Sequence, residues 1–206
     1  MSVRVKVCGI TSVEDALMAA EFGASAIGLV FWPKSPRAID RATASEIVRA
    51  LPPLVEAIGV FVDQQDADAI ASDVGLHAVQ LHGDESVDTY RRYAHRVIKA
   101  VAVNGEKARD RVRLVPPGVD VLLDAHDAAR RGGTGDTIDW PLASAIASER
   151  RIILSGGLNA SNVADAIRTV MPAAIDVSSG VESSPGRKDR GKVRDFFTAL
   201  AMSHEP

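Results

Sequence analysis

The sequence predicts an α/β fold of eight strand-and-helix units, and three observations predict it. Short β-branched apolar runs alternate with longer segments of helical period along the whole chain. The short runs are continuously apolar, as in Ala26-Ile27-Gly28-Leu29-Val30-Phe31, which is how parallel strands read when helices cover both faces of their sheet. An antiparallel sandwich would alternate instead. Third, 206 residues divided among eight units leave about 26 each, near the lower limit for a strand, a helix and two short loops. A compact (βα)8 TIM barrel accounts for the chain, whereas a doubly wound sheet of five or six strands leaves residues over. No Pro/Gly/Ser-rich linker interrupts residues 1–206, so a single domain is expected.

Each unit has its own justification. The first strand is expected over Arg4–Val7 and its helix over Val13–Phe22, where Thr11-Ser12-Val13-Glu14 has the form of a capping box. The second strand, Ala26–Phe31, precedes a helix at Ala44–Leu51 that starts from a similar box, Thr43-Ala44-Ser45-Glu46. Strands at Ala57–Val62, Ala78–Leu81 and Val97–Val101 are followed by helices at Ala67–Val74, Val87–Tyr93 and Glu106–Val115. The sixth unit pairs Val119–Leu123 with Pro141–Ser148, whose proline suits a first helical turn because the missing N–H has no partner there anyway. Ile152–Leu154 with Ser161–Val170, and Ile175–Val177 with Gly191–Met202, complete the set.

Composition narrows the function. With 24 basic and 27 acidic side chains the formal net charge is −3, and only 4% of residues are aromatic. No basic block exists to meet nucleic acid or a membrane surface, which leaves small molecules as the expected partners. Cys8 is the only cysteine. One thiol excludes an intrachain disulfide and Cys-based zinc or iron–sulfur sites, and fits a reducing compartment. The N-terminal MSVRVKVCGI has no continuous apolar core of the signal-peptide kind, and no apolar run is long enough to span a bilayer, so a cytoplasmic protein is expected. The histidines at 77, 82, 95, 126 and 204 form no H-x-H or H-E-x-x-H pattern, and a bound catalytic metal is not expected. The apolar outer faces fit either a monomer surface or a homodimer interface.

In such a barrel, chemistry sits at the C-terminal ends of strands and in the loops that follow. Cys8 ends the first strand, Arg37 lies after the second, Asp63 ends the third, His82 and Asp84 follow the fourth, and Asp124 ends the sixth. Ser155-Gly156-Gly157 and Ser178-Ser179-Gly180 follow the seventh and eighth, where backbone N–H groups can converge on phosphate. Gly132-Gly133-Thr134-Gly135 adds a third flexible segment beside them. Each residue also has a structural alternative: a cap for Asp124, a small buried hydrophobe for Cys8, a solvated arginine for Arg37 and a hydrogen-bonded structural role for His82. Period-2 alternation puts Lys6 on the face of Cys8, either as its neighbour inside the barrel or as a sign that the register is displaced.

The loops carry a further signal. KVCGIT from Lys6, FWPKSPR from Phe31, GVFVDQ from Gly59, VQLHGDE from Val79, LLDA from Leu122, GGTGDTIDW from Gly132, SGGLN from Ser155 and DVSSGVESSPGRKD from Asp176 occur in this order. The set resembles the phosphoribosylanthranilate isomerase family of tryptophan biosynthesis over nearly the whole chain. Two positions differ from that pattern: Ile138 stands where phenylalanine is frequent, and Pro36 lies within the arginine loop.

The resemblance implies a cofactor-independent Amadori rearrangement in a (βα)8 barrel, with N-(5-phosphoribosyl)anthranilate as the phosphorylated small-molecule substrate. It implies Cys8 as general base and Asp124 as general acid. It further implies Arg37 as the ligand of the anthranilate carboxylate. His82, Gly133 and Asp176 are expected among the substrate-binding residues, with Gly156, Gly157, Ser178, Ser179 and Gly180 as the phosphate cradle. The chemistry itself calls for an acid at the ring oxygen and a base at sugar C2. An ordinary aspartate is only about 0.1% protonated at neutral pH and an ordinary thiol only a few per cent ionised, so both need help from their surroundings. A histidine-pathway isomerase, or a barrel serving both pathways, would carry aspartate in place of Cys8 and a second phosphate site. A non-catalytic phosphate sensor would have no use for the Cys8 and Asp124 pair.

Overall fold

The protein is described here by a computed structural model covering residues 3–86, 96–103, 105, 107–125 and 138–202. Eight parallel strands close into a barrel in sequential order: β1 (Arg4–Cys8), β2 (Ala26–Val30), β3 (Glu56–Phe61), β4 (Ala78–Leu81), β5 (Arg96–Ala102), β6 (Asp120–Asp124), β7 (Ile152–Leu154) and β8 (Ala174–Val177). Closure comes from pairing of β1 with β8, in which Val5 stands opposite Ile175 and Lys6 opposite Asp176. The sequence placed every barrel strand within one residue of its observed bounds. All five residues of β2 are buried, as expected of a strand covered on both faces.

The helices described are α1 (Val13–Glu21), α2 (Arg41–Ala50), α3 (Ala67–Val74), α4 (Lys107–Leu114), α5 (Trp140–Glu149), α6 (Val163–Val170) and α7 (Arg190–Met202). The helix expected at Val87–Tyr93 lies outside the described residues. Ser12 caps α1, its hydroxyl accepting from Asp15 N at 3.2 Å. The second capping box is not used at its expected place. Helix α2 begins at Arg41 because the Asp40 carboxylate accepts from Thr43 N at 2.8 Å, which puts Thr43 inside the first turn. Helix α5 has Asp139 as its cap and Pro141 in its first turn.

Side chains alternate across the barrel wall. Val5 and Val7 point outward into the main core shared with the helices, whereas Cys8 belongs to a small inner cluster with Val30, Val60 and Trp32. A second inner layer holds Ala26, Ile58, Ala78, Ile98 and Leu122. The inner face also carries the buried polar side chains Lys6, Gln80, Asp124 and Asp176. At the end away from the strand C-termini, Glu56 pairs with Arg4 at 3.6 Å and Arg96 at 3.0 Å around a cavity of about 90 Å³. Among the described residues no helix is long and apolar enough to cross a membrane.

One element is absent from the sequence-based expectation. After β8 the chain forms a 3₁₀ turn, Ser179–Val181, and then a two-stranded antiparallel hairpin of β9 (Glu182–Ser184) and β10 (Arg187–Lys188). Gly186, with φ +82°, supplies the left-handed turn conformation after Pro185. The register sets Lys188 opposite Glu182.

Candidate active site

The barrel brings Cys8 and Asp124 to the same end of the sheet, each as the last residue of its strand and each buried. Asp124 Oδ1 accepts from Ala125 N at 2.9 Å, and Oδ2 lies 3.1 Å from His82 Nε2. Gln80 Nε2 stands 3.1 Å from the other ring nitrogen, so the imidazole is held between an amide and the carboxylate. His82 therefore stands beside the candidate acid, where it orients that carboxylate and contributes a polar wall.

Cys8 has a different environment. Burial pushes its thiol above the ordinary value, Lys6 pulls it back, Asp176 pushes it up again and Lys188 opposes, with a net rise. Lys6 is an interior neighbour of Cys8: it stands opposite Ala26 of the inner layer, and its Cε and the Cys8 sulfur both crowd the Cβ position of Gly28. Lys6 Nζ donates to Asp176 Oδ1 at 2.9 Å, and both side chains are almost fully buried. Burial alone would lower the ammonium's pKa, but the Asp176 carboxylate and Cys8 outweigh it and hold Lys6 above the ordinary lysine range. Asp176 Oδ2 lies 3.3 Å from Ser155 Oγ. Both carboxylate oxygens of Asp176, expected among the substrate ligands, are thus engaged with protein groups inside the barrel.

Arg37 follows β2 and reaches toward the hairpin. Its Nε donates to Glu182 Oε1 at 2.9 Å and its Nη2 to Glu182 Oε2 at 2.6 Å, a bidentate fork. This hydrogen-bonded pairing raises the guanidinium's pKa above its usual value. Glu182 also accepts from Lys188 Nζ at 2.8 Å. Burial would raise the Glu182 carboxyl, yet Arg37 and Lys188 together hold it below the ordinary range. Lys188 Nζ, completely buried, donates as well to the Cys8 carbonyl at 2.6 Å, and Lys188 N donates to Asp15 Oδ2 at 2.9 Å. One ion network therefore ties Arg37, the hairpin, helix α1 and the end of β1 together.

The loops after β7 and β8 pack directly on one another. Gly156 and Gly157 have φ of +89° and +63°, a conformation that favours glycine, and among the described residues their N–H groups donate to no other group. Asn162 Nδ2 holds the Gly157 carbonyl at 3.0 Å, which orients this turn. A Cβ on Gly180 would stand 1.9 Å from the Leu158 carbonyl oxygen, so the Ser178-Ser179-Gly180 turn can lie this close only with glycine. The adjacency expected of a phosphate cradle is present. Gly133 lies outside the described residues. Ile138 is buried and its Cγ2 lies against Gly156.

Sequence reasoning did not find Glu182 or Lys188. Their signal was available in Glu182-Ser-Ser-Pro-Gly-Arg-Lys188, a Pro-Gly turn flanked by residues of opposite charge at hairpin spacing. Asp63 and Asp84 prove to be loop formers: Asp63 Oδ1 accepts from Asp84 N at 2.8 Å, and Glu85, paired with Lys99, accepts from Asp63 N at 2.6 Å. Among the described residues no three His, Cys, Asp or Glu side chains converge as metal ligands would.

Comparison with known proteins shows the family. The profile of the family described as N-(5'phosphoribosyl)anthranilate (PRA) isomerase matches residues 5–199. An N-(5'-phosphoribosyl)anthranilate isomerase of Geobacter sp. strain M21 is 50% identical over 198 residues, covering 94% of this chain and 95% of that protein. The crystal structure of the phosphoribosyl anthranilate isomerase of Thermotoga maritima superposes with a TM-score of 0.90 at 44% identity, covering 97% of this chain and 99% of that one. A second crystal structure, of such an isomerase in complex with reduced 1-(o-carboxyphenylamino)-1-deoxyribulose 5-phosphate, gives a TM-score of 0.86 at 43% identity with the same coverage. Barrel closure, the strand-end thiol and carboxylate, and a match along nearly the whole chain lead to one conclusion: this chain belongs to the phosphoribosylanthranilate isomerase family.

Proposed function

We propose that the protein catalyses the Amadori rearrangement of N-(5-phosphoribosyl)anthranilate to 1-(2-carboxyphenylamino)-1-deoxyribulose 5-phosphate, the isomerisation step of tryptophan biosynthesis, by general acid–base catalysis at Cys8 and Asp124. The observation that carries the reading is their placement: two different strands deliver a thiol and a carboxyl group to one barrel mouth beside paired glycine loops. Asp124 gives a proton to the furanose ring oxygen, and the bond from that oxygen to C1 breaks to leave a protonated Schiff base. The Cys8 thiolate then removes the proton on C2. The C–H electron pair becomes the C1–C2 double bond of the enolamine, and the imine pair returns to nitrogen. Tautomerisation yields the ketone. Arg37 holds the anthranilate carboxylate, and the loops after β7 and β8 hold the phosphate. A thiol used as a base must stay reduced, which supports a cytoplasmic location.

The test is disappearance of substrate fluorescence when freshly made phosphoribosylanthranilate meets purified protein. Cys8→Ala and Asp124→Asn should each lower kcat at least about 10²-fold with KM little changed, as expected of groups that act in the transition state. Near-full activity in either variant would remove that residue from its role.

A further inference from the structure

The mechanism requires a thiolate, yet burial disfavours one at Cys8, and the side chains around the sulfur bear on how it forms. Lys6 is two residues earlier on β1 and shares its inward face. A Cβ placed on Gly28 of the paired strand would stand 2.7 Å from Cys8 Sγ and 3.0 Å from Lys6 Cε. The space left by the missing side chain is therefore where thiol and lysine stem come together. The Lys6 ammonium bonds Asp176, while its stem lies beside the Cys8 side chain. Asp176 is itself fixed by Ser155.

We propose that Lys6 is a positioning residue for the reaction, acting through Cys8: anchored by Asp176 in the space opened by Gly28, its ammonium is the charge against which the Cys8 thiolate forms. The proposal rests on the reading of Cys8 as the base. The charged groups that face the thiol are Lys6 on its own strand, Asp176 on β8, Lys188 on β10 and Arg37 after β2. Neighbours Gly28, Val30, Trp32 and Val60 bring no charge. Lys188 and Arg37 share the Glu182 carboxylate, and Lys188 meets Cys8 through its backbone carbonyl. Lys6 alone among these cations lies on the thiol's own strand and face, with its stem beside the sulfur at Gly28. Its attraction for the thiolate also exceeds the repulsion from Asp176. Removing Lys6 should thus raise the thiol's pKa and move the alkaline-rising limb of kcat/KM to higher pH.

The experiment compares wild type with Lys6→Met and with Lys6→Met combined with Asp176→Asn. The double variant leaves no unpaired charge in the barrel, so it keeps the test available if the single variant does not fold. Cys8 is the only cysteine, so the ultraviolet absorbance of its thiolate and the rate of alkylation by iodoacetamide report that one site. Lys6→Met should titrate about one unit or more higher, and the double variant should shift less but still stand above wild type, because Asp176→Asn also removes a charge that pushes the thiol up. The kcat/KM of Lys6→Met at neutral pH should fall about tenfold or more, with the deficit closing as pH rises, because one unit is a tenfold change in thiolate. A merely structural lysine would lower stability and leave both midpoints in place, and that result would overturn the proposal. So would a shifted thiolate titration with an unshifted rate profile. A Cys8→Ala variant run in parallel separates the two ideas: its full activity would end the base assignment, while the thiolate titration still reports the coupling of Lys6 to sulfur.

Discussion

Arg37 lies after β2, where the sequence puts it, but carries a different geometry from the one expected. The sequence offers a guanidinium fork for a ligand carboxylate, but the Nε and Nη2 edge of that fork is held by Glu182, so only the Nη1 edge faces other partners. The orientation of Arg37 is therefore set by an acid 145 residues away. Arg37→Ala should raise KM and leave kcat largely intact, with a loss of about 1.5–3 kcal/mol, or roughly 10- to 150-fold in kcat/KM. Arg37→Lys should recover little, because an ammonium cannot hold Glu182 on two bonds and meet a ligand as well. Glu182→Gln should shift KM in the same direction, since Gln can accept only one of the two N–H groups. Steady-state kinetics on the three variants decides the matter, and an unchanged KM in Arg37→Ala would take this residue out of the site. Cys8, His82 and Asp124 were legible because strand ends can be counted from the apolar runs. Glu182 and Lys188 were not, because a buried ion pair looks locally like surface polarity until the fold covers it.

At the level of elements, what could be read followed from what the local chain decides. Strand positions were clear because parallel strands are apolar on both faces. The start of α2 was not, because Asp40 and Thr43 are both good caps and only the folded chain shows which one the free N–H groups meet. The hairpin lies just beyond Ser178-Ser179-Gly180, the turn assigned to phosphate, in residues for which no element was expected, so the run after β8 contains two devices. Its first part, Ser178-Ser179-Gly180, packs against the loop after β7, and its second part buries Lys188 against Cys8. The first device gives a prediction. Inorganic phosphate should inhibit competitively with substrate if these loops form the cradle, and a non-competitive pattern would place phosphate elsewhere. Gly180→Ala has to move one loop away from the other, because the added methyl would overlap the Leu158 carbonyl oxygen, which is rigid backbone. The inhibition constant for phosphate should rise about tenfold or more, corresponding to one lost charge-assisted hydrogen bond. An unchanged constant in a folded Gly180→Ala variant would exclude the loop contact as the cradle's support.

For the molecule as a whole, eight repeated units announce a barrel, but closure and the buried charges belong to long-range contacts that no local pattern contains. Lys6 and Asp176 are joined only because β8 returns to β1, and Arg37, Glu182 and Lys188 meet only because the hairpin folds over the strand ends. Breaking a buried ion pair by removing one partner costs about 3–5 kcal/mol, much of it from the charge left behind. Glu182 is the carboxylate on which two cations depend, so its protonation should govern part of the acid response. Its folded-state pKa lies below the ordinary glutamate value of about 4.3, which means the unfolded chain binds the proton first as pH falls. The stability it contributes is complete above that ordinary value and is lost as pH drops through the folded-state value. Glu182→Gln, which mimics the neutral acid, should thus be less stable than wild type by about 3–5 kcal/mol at neutral pH, and the gap should close in acid. Urea unfolding of both proteins across the acid range measures that gap. If it were as wide in strong acid as at neutral pH, the Glu182 charge would not be what joins Arg37 and Lys188 to the barrel, and packing of the hairpin alone would have to account for the loss.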